Sequence, residues 1–432
     1  MDLNSELLSF IARSPSAFHA VENVKDALAA AGYRELYETE DFSVKPGDKV
    51  FVRRNGSSLI ALRIPEASPS GLMLAAAHSD SPAFKIKENA SVASSDGYVR
   101  LNVEKYGGML CAPWLDRPLS AAGRVTLRAE GGLVSRLVDL ERPVALIPNL
   151  AIHMDRKAND GKAYEAHVDM LPLLSQAGAK SFDALVAGAL GVKEEDILSR
   201  DLFLYPVAAG TLWGAEEEFI SSPRLDDLQC VFGCLKGFLQ AKDTQSLAAL
   251  CVFDNEEVGS SSKQGADSSF LSDVLRRVCH ALGMDEAAYL KCVSGGFMVS
   301  ADNAHAVHPN HGEQADRIDR PVMNGGVVIK YNANARYTTD SVSAAVFGEI
   351  CRAAGVPVQR YTNRADKPGG STLGNISLSH VSLDSVDIGL AQLAMHSCYE
   401  TAGAKDTEYL VRAMTEFYSR EIRKTPDGIR IE

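Results

Sequence analysis

No apolar run in this sequence reaches the roughly 18–20 residues a membrane-spanning helix needs, so no such segment is expected. The opening stretch, MDLNSELLSFIARSPSAFHA, holds no basic stretch followed by an apolar core. A secretory leader is therefore not expected. Positive charge is in deficit: 44 Lys and Arg stand against 56 Asp and Glu, a net charge of -12, and no basic stretch offsets it. That excludes nucleic acid and anionic membrane as main partners, although an acidic chain can still hold a locally positive pocket. The eight cysteines form no CxxC; Cys230 and Cys234 are spaced i,i+4, and most others sit inside apolar runs. They read as small buried hydrophobes, which points to a reducing cytoplasm. The glycine-rich stretches KPGGSTLGN and VSGGF do not match the phosphate loop GxxxxGK[ST]. No GxSxG elbow supports a serine nucleophile. Internal repeats and low-complexity segments are absent as well.

What is present is an ordinary globular composition, 46% apolar and 23% charged, over 432 residues. That length exceeds what one hydrophobic core usually supports, so two domains are expected. Ser14-Pro15 reads as a helix start leading to about Gly32. LMLAAAH (72–78) reads as a strand covered on both faces. Between about 83 and 212 the pattern turns to alternating strands, VRLNVEKY, GRVTLRA and LVSRLVDL, with a helix over 181–190. From 224 a helix–strand rhythm resumes. LDDLQCVFGCLKGFLQA, DSSFLSDVLRRVCHAL and SVSAAVFGEICRAAG are helical, LAALCVFD, VVIKYN, VQRYTN and SVDIGLA extended, and a last helix covers about 406–423. The reading is an α/β domain, residues 1–82 and 213–432, split by a β-rich insertion over 83–212.

Ligands of open α/β sheets gather at the carboxyl ends of the strands. Four apolar runs end in chemistry-bearing residues: LMLAAA in His78-Ser79-Asp80, LAALCVF in Asp254-Asn255-Glu256-Glu257, YLKCVSGGFMVS in Ala301-Asp302-Asn303, and SVDIGLAQLAMH in His396. Asp226 in SPRLDDL opens a helix and makes a fifth. One histidine at a strand end is usually structural, and one glutamate pair is usually a solvated turn; the conjunction is what counts. Imidazole and carboxylate without cysteine suit zinc, and also cobalt or manganese. A carboxylate can bridge two metals. Asp80 could orient the other ring nitrogen of His78. His305, His308 and His311 share a spacing of three, but Pro309 and Gly312 place them in a loop, where they read as hydrogen-bonded loop histidines. GGSTLG (369–374) reads as a tight loop approaching the substrate.

AHSDSPAF, SPRLDDL, FDNEEVGSSS, SADNAHAVHPN, GGSTLGNIS and LAMHSCYE, in this order, resemble the M18 family of metallo-aminopeptidases, the aspartyl aminopeptidases. The resemblance runs from SPSAFHAV to the last helix, and the bacterial members look most similar. It implies a zinc-peptidase type of fold, a central mixed β-sheet flanked by helices, and makes the insertion a dimerisation domain. It implies two divalent metal ions, zinc by first expectation. His78, Asp226 and Asp302 would hold one, and Asp226, Glu257 and His396 the other, with Asp226 as bridge. Glu256 would be the general base, and Asp80 the acid of the HxD pair. His153 would reach a neighbouring subunit's active site or ligate metal. Lys330 in IKYNANARY would bind the acidic side chain of a substrate. A tetrahedral dodecamer is implied too. Asp227 stands where many members have Asn, and LFLYPVAAGTLWGAEEEF, around Trp213, departs from the better-known members.

The expected activity is removal of N-terminal residues from peptides, with a preference for Asp or Glu, Glu256 taking a proton from the attacking water and returning it to the leaving amine. Two alternatives stand beside it: a dinuclear hydrolase of N-acyl amino acids, and a non-catalytic assembly scaffold.

Overall fold

A computed structural model describes residues 2–93 and 96–432. The chain divides into two compact units. One comprises the residues up to Asp80, Gly210–Met395 and Glu400–Glu432; the other comprises Ser81–Ala209 and His396–Tyr399.

The larger unit is built on a nine-stranded mixed sheet. Its strands are β1 (Arg34–Leu36), β2 (Lys49–Arg54), β3 (Ser58–Arg63), β4 (Leu72–His78), β5 (Leu247–Phe253), β6 (Phe297–Ala301), β7 (Val327–Tyr331), β8 (Val358–Thr362) and β9 (Asp384–Gly389). Their order across the sheet is β1-β2-β3-β5-β4-β6-β9-β7-β8. β4 lies parallel between β5 and β6, so these three strands deliver their carboxyl ends to one side.

Alternation explains the two layers around them. Met73, Ala75 and Ala77 of β4 face one core; Leu72, Leu74 and Ala76 face the other. Successive side chains of a strand point to opposite faces, so an all-apolar strand needs cover on both. The first face is covered by α1 (Leu3–Ala12), α2 (Ala17–Ala30), α3 (Leu225–Gln240), α6 (Ser341–Ala354) and α7 (Asp406–Tyr418). The second is covered by α4 (Phe270–Ala281) and α5 (Glu286–Ser294). A smaller five-stranded sheet, which includes Phe219–Ser222, Glu400–Gly403, Ala391–Leu393 and Ala304–His305, extends the same unit.

The second unit is a six-stranded sheet paired antiparallel throughout, with Ala83–Ala93, Leu119–Ala129 and Ile197–Pro206 in its middle. Phe84, Trp114, Phe182 and Leu202 are in its core. Helix Phe182–Leu190 packs there; Ser181 caps its start, and Gly191, with φ 66°, ends it in the left-handed region.

Some local expectations shift. Ser14 does not cap α2: its hydroxyl donates back to the Phe10 carbonyl and closes α1, so Ser16 becomes the N-cap. YLKCVSGGFMVS is two elements rather than one strand, because Glu286–Ser294 is helical and only Phe297–Ala301 is extended. SVDIGLAQLAMH is two strands, ending at Gly389 and Leu393, and His396 lies in a turn with φ 66°. The last helix stops at Tyr418, after which Ile422–Thr425 pairs with Gly428–Ile431.

Phe238 shows what holds the first face together. It is fully buried on α3 between the rings of Tyr33 and Tyr418, with the Arg63 guanidinium over its own ring. The same guanidinium donates to the Phe238 and Ala241 carbonyls, satisfying the end of α3. Phe238→Ala is expected to cost about 3–5 kcal/mol, read as a lower urea midpoint at an unchanged slope.

Candidate metal centre

Three sheet strands and one helix entrance bring their polar ends together in the larger unit. His78 is the last residue of β4, Asp302 follows the end of β6, and the glutamates follow β5. Asp226 and Asp227 occupy the start of α3 with non-helical dihedrals, φ −82°, ψ 110° and φ −117°, ψ 19°. This bend puts both carboxylates at the helix entrance.

The glutamate pair is set by a turn. β5 ends at Phe253, Asn255 adopts the left-handed region (φ 64°), and Glu256–Val258 form one tight helical turn closed by Gly259 at φ 92°. Asn255 suits that conformation because its short amide bonds locally; its Oδ1 accepts from Gln264 Nε2 at 2.9 Å and Ser262 Oγ at 2.7 Å. Gly265 is needed behind the turn, since a Cβ there would lie 2.0 Å from the Ser260 carbonyl oxygen.

Asp80 braces this turn. Its two carboxylate oxygens accept from two successive amides, Glu256 N and Glu257 N, each at 3.2 Å. His78 Nδ1 lies 3.0 Å from the Asp80 carbonyl and 3.3 Å from its Oδ1. That leaves Nε2 toward the acids, 3.5 Å from Asp226 Oδ1.

Ligating atoms of His78, Asp226, Asp227 and Asp302 all lie within 4.8 Å of one another, and so do those of His78, Glu256 and Glu257. Burial and mutual repulsion push the carboxyls up. Glu256 is raised to about 8, first by burial, with the His78 imidazole opposing and Asp302, Asp80 and Asp226 adding to the rise. Glu257 and Asp227 are raised well above the usual range, again chiefly by burial. His78 moves up because Asp227, Asp226 and Asp80 outweigh the effect of its burial. Such crowding of acids is what a divalent cation relieves. Asp227, 0% exposed, uses Oδ2 to accept the His78 amide at 3.1 Å. Its Oδ1 is buried without a conventional hydrogen bond, and the Cys230 thiol is a neighbour of the carboxylate. One imidazole, several carboxylates and a buried oxygen of this kind fit a zinc-type ion.

Lys330 on β7 is 3% exposed. Its Nζ lies 3.3 Å from Asp302 Oδ2 and donates to the Asn303 carbonyl at 3.3 Å, over the Tyr337 ring. Burial lowers its pKa, but Asp302, Tyr337, Asp387 and Cys230 together outweigh it and the net shift is upward. His153 and His396 belong to the other unit. His153 is exposed in a turn. His396 pairs through Nδ1 with the Gly108 carbonyl at 2.7 Å.

Sequence reasoning gave no site role to three further residues. Asp227 was visible only as the second acid of RLDD. Glu400, fully buried, accepts the Asp226 amide at 2.9 Å. Asn303 follows the acid at the end of β6 and bonds in several directions. No periodicity marks either of the last two. Of the three histidines expected in a loop, His305 instead ends the short strand Ala304–His305, held by its pairing with Ala391–Leu393; His308 Nδ1 accepts the Asn310 amide, and the His308 and His311 rings lie 5.0 Å apart.

The chain matches the family described as Aminopeptidase I zinc metalloprotease (M18) over residues 10–418. It is 43% identical over 429 residues to the "Probable M18 family aminopeptidase 2" of Clostridium acetobutylicum, covering 97% of this chain and 99% of that one. The protein of the same name from Pseudomonas aeruginosa is 42% identical over 427 residues, covering 97% and 98%. Among solved structures, a chain of the Ape4 and Nbr1 complex superposes with a TM-score of 0.93 at 34% identity, covering 96% of this chain and 85% of that chain. The S. cerevisiae mApe1 dodecamer superposes with a TM-score of 0.86 at 27% identity, covering 96% of each chain. With this fold and this cluster of acids around His78, the chain belongs to the M18 family of zinc aminopeptidases and is a metallopeptidase hydrolase.

Proposed function

We propose that the chain is a two-metal aminopeptidase preferring peptides with an N-terminal Asp or Glu. The observation that carries this reading is the Asp80 brace, which sets Glu256 and Glu257 side by side against His78. His78, Asp226 and Asp302 would hold one divalent ion; Asp226, Glu257 and His396 would hold the second, with Asp226 shared. Zinc is the first choice, with cobalt or manganese as substitutes for the same donors. When bound, the pair supplies a Lewis acid for the scissile carbonyl and lowers the pKa of a water. Glu256 then accepts the proton of the attacking water and delivers it to the leaving amine. Asp80 keeps Glu256 in reach and holds the ring of His78. Lys330 offers the counter-charge for an acidic side chain, or else serves Asp302 alone, and substrate choice separates these roles.

The same reading makes 83–212 a dimerisation domain and the assembly a tetrahedral dodecamer. His153, on an exposed turn beside Ile152 and Met154, would reach a second copy's site. The dodecameric mApe1 relative supports a homo-oligomer. The cytoplasm remains the proposed compartment; all eight cysteines are free. Among the described residues, no helix is long and apolar enough to cross a membrane.

Three experiments check these roles. Glu256→Gln is expected to retain metal and lose about 10²–10⁴-fold in kcat, whereas Glu257→Gln loses metal affinity first; an active Glu256→Gln removes the base assignment. Asp80→Asn puts an NH2 where an oxygen accepts an amide, and should weaken zinc binding about 10–100-fold by chelator competition. On metal-restored enzyme, Asp- and Glu-anilides should be cleaved and their N-acetylated analogues not. Hydrolysis of the acetylated forms alone would show a deacylase, and none with either a scaffold. In the same panel Lys330→Ala should lower acidic substrates far more than neutral ones; an equal fall assigns Lys330 to Asp302 alone.

A further inference from the structure

Asp302 stands where two neighbouring strands leave the large sheet together. β6 ends at Ala301 and Ala304–His305 follows; β9 ends at Gly389 and Ala391–Leu393 follows. The two short continuations pair in parallel within the five-stranded sheet. The backbones are in close contact here, for a Cβ on Gly389 would lie 2.0 Å from the Asp302 carbonyl oxygen. Strands passing from one sheet to another leave backbone groups outside the regular ladder, and buried ones must find other partners.

Across the crossing the Asp302 and Ala304 amides reach the Ile388 and Leu390 carbonyls, and one side chain supplies the partner of the Leu390 amide. Asn303 is 2% exposed. Its Oδ1 accepts the Leu390 amide at 3.3 Å and the Cys230 thiol at 3.3 Å. Its Nδ2 reaches the Leu225 carbonyl at 3.1 Å, Gln392 Oε1 at 3.0 Å and Gln229 Oε1 at 3.2 Å. Leu225 immediately precedes Asp226, and Gln229 continues the chain of bonds to Thr407 Oγ1 on α7 at 3.0 Å. The dipeptide Asp302-Asn303 thus divides its labour: one side chain points to the acids, the next to the helix entrance that carries Asp226.

We infer that Asn303 is a positioning residue of the metal centre, its buried amide fixing Asp302 on the strand crossing and Asp226 on α3 at ligating separation. This rests on the reading of those two aspartates as ligands. An amide is the suitable group because both a donor and an acceptor are required. A carboxylate would set its oxygens against three acceptors and add charge to crowded acids. An apolar side chain would strand the Leu390 amide, the Leu225 carbonyl and Gln392 Oε1 away from water. Partners behind a ligand commonly set metal affinity almost as strongly as the ligand does.

The test uses the full chain and Zn²⁺, with the dissociation constant from competition with a chromogenic chelator, the Tm of the metal-free protein, and kcat and KM of the loaded enzyme. Asn303→Leu is compared with Asp302→Ala and with Ile350→Val, a buried change on α6 outside this network. Asn303→Leu should weaken Zn²⁺ about tenfold or more and lower kcat at nearly constant KM, beyond anything Ile350→Val does. If it lowers Tm yet keeps zinc affinity and kcat at the level of Ile350→Val, the role is structural and the inference is overturned. If Asp302→Ala itself leaves zinc affinity unchanged, the ligand assignment has failed instead. Should Asn303→Leu not fold, Gln392→Met, which removes one acceptor, decides: weaker zinc binding supports the inference, and unchanged binding overturns it.

Discussion

One carboxylate organises the centre. Asp80 accepts two consecutive amides through its two oxygens and adjoins the imidazole two residues before it. In a strand, adjacent side chains part to opposite faces. Adjacent glutamates can serve one site only if the strand has stopped and the backbone has turned. Asn255 and Gly259, both left-handed, permit the turn, and Asp80 holds it from the neighbouring strand. Without that grip Glu256 and Glu257 are two acids on a surface loop.

The second constraint is charge. Asp226, Asp227 and Asp302 are buried within reach of one imidazole, with the Lys330 ammonium behind them. Such a group is costly until a cation enters, because each desolvated carboxylate raises the cost of ionising the next. The protein meets part of this with backbone donors, the His78 amide to Asp227 and the Glu256 and Glu257 amides to Asp80. The remaining electrostatic demand is one that a dication would relieve, and the nearby Cys230 thiol has its pKa pushed up by burial and by Asp227.

Much of the sheet was legible because its strands are apolar on both faces. LMLAAAH and LAALCVF are short runs that only a covered sheet centre accommodates, and their ends name His78 and the glutamates directly. Asp302 was legible for the same reason, although the run before it hides a helix ending at Ser294. The brace geometry was not legible: an HxD pattern suggests a bond to the histidine ring and says nothing of amides 176 residues away. Nor were Asn303 and Glu400. Their value comes from which segments pass nearby in three dimensions, and a single Asn after an Asp carries no periodic signal. The shift of the second helix cap from Ser14 to Ser16 is of a smaller kind, a choice between two serines flanking Pro15 settled by the end of the preceding helix.

The separation of the partners has a consequence for how the site comes into being. Asp80 is 176 residues from Glu256, His78 is 149 from Asp227, and Asp226 is 174 from Glu400. No local stretch of chain holds two of these elements in register, so a growing polypeptide presents scattered acids rather than a half-built trap for metal. Capture can begin only when β4 has found β5 and the helix entrance has docked. Metal uptake at this centre would thereby report on folding: it would mark the molecules in which these distant segments have met.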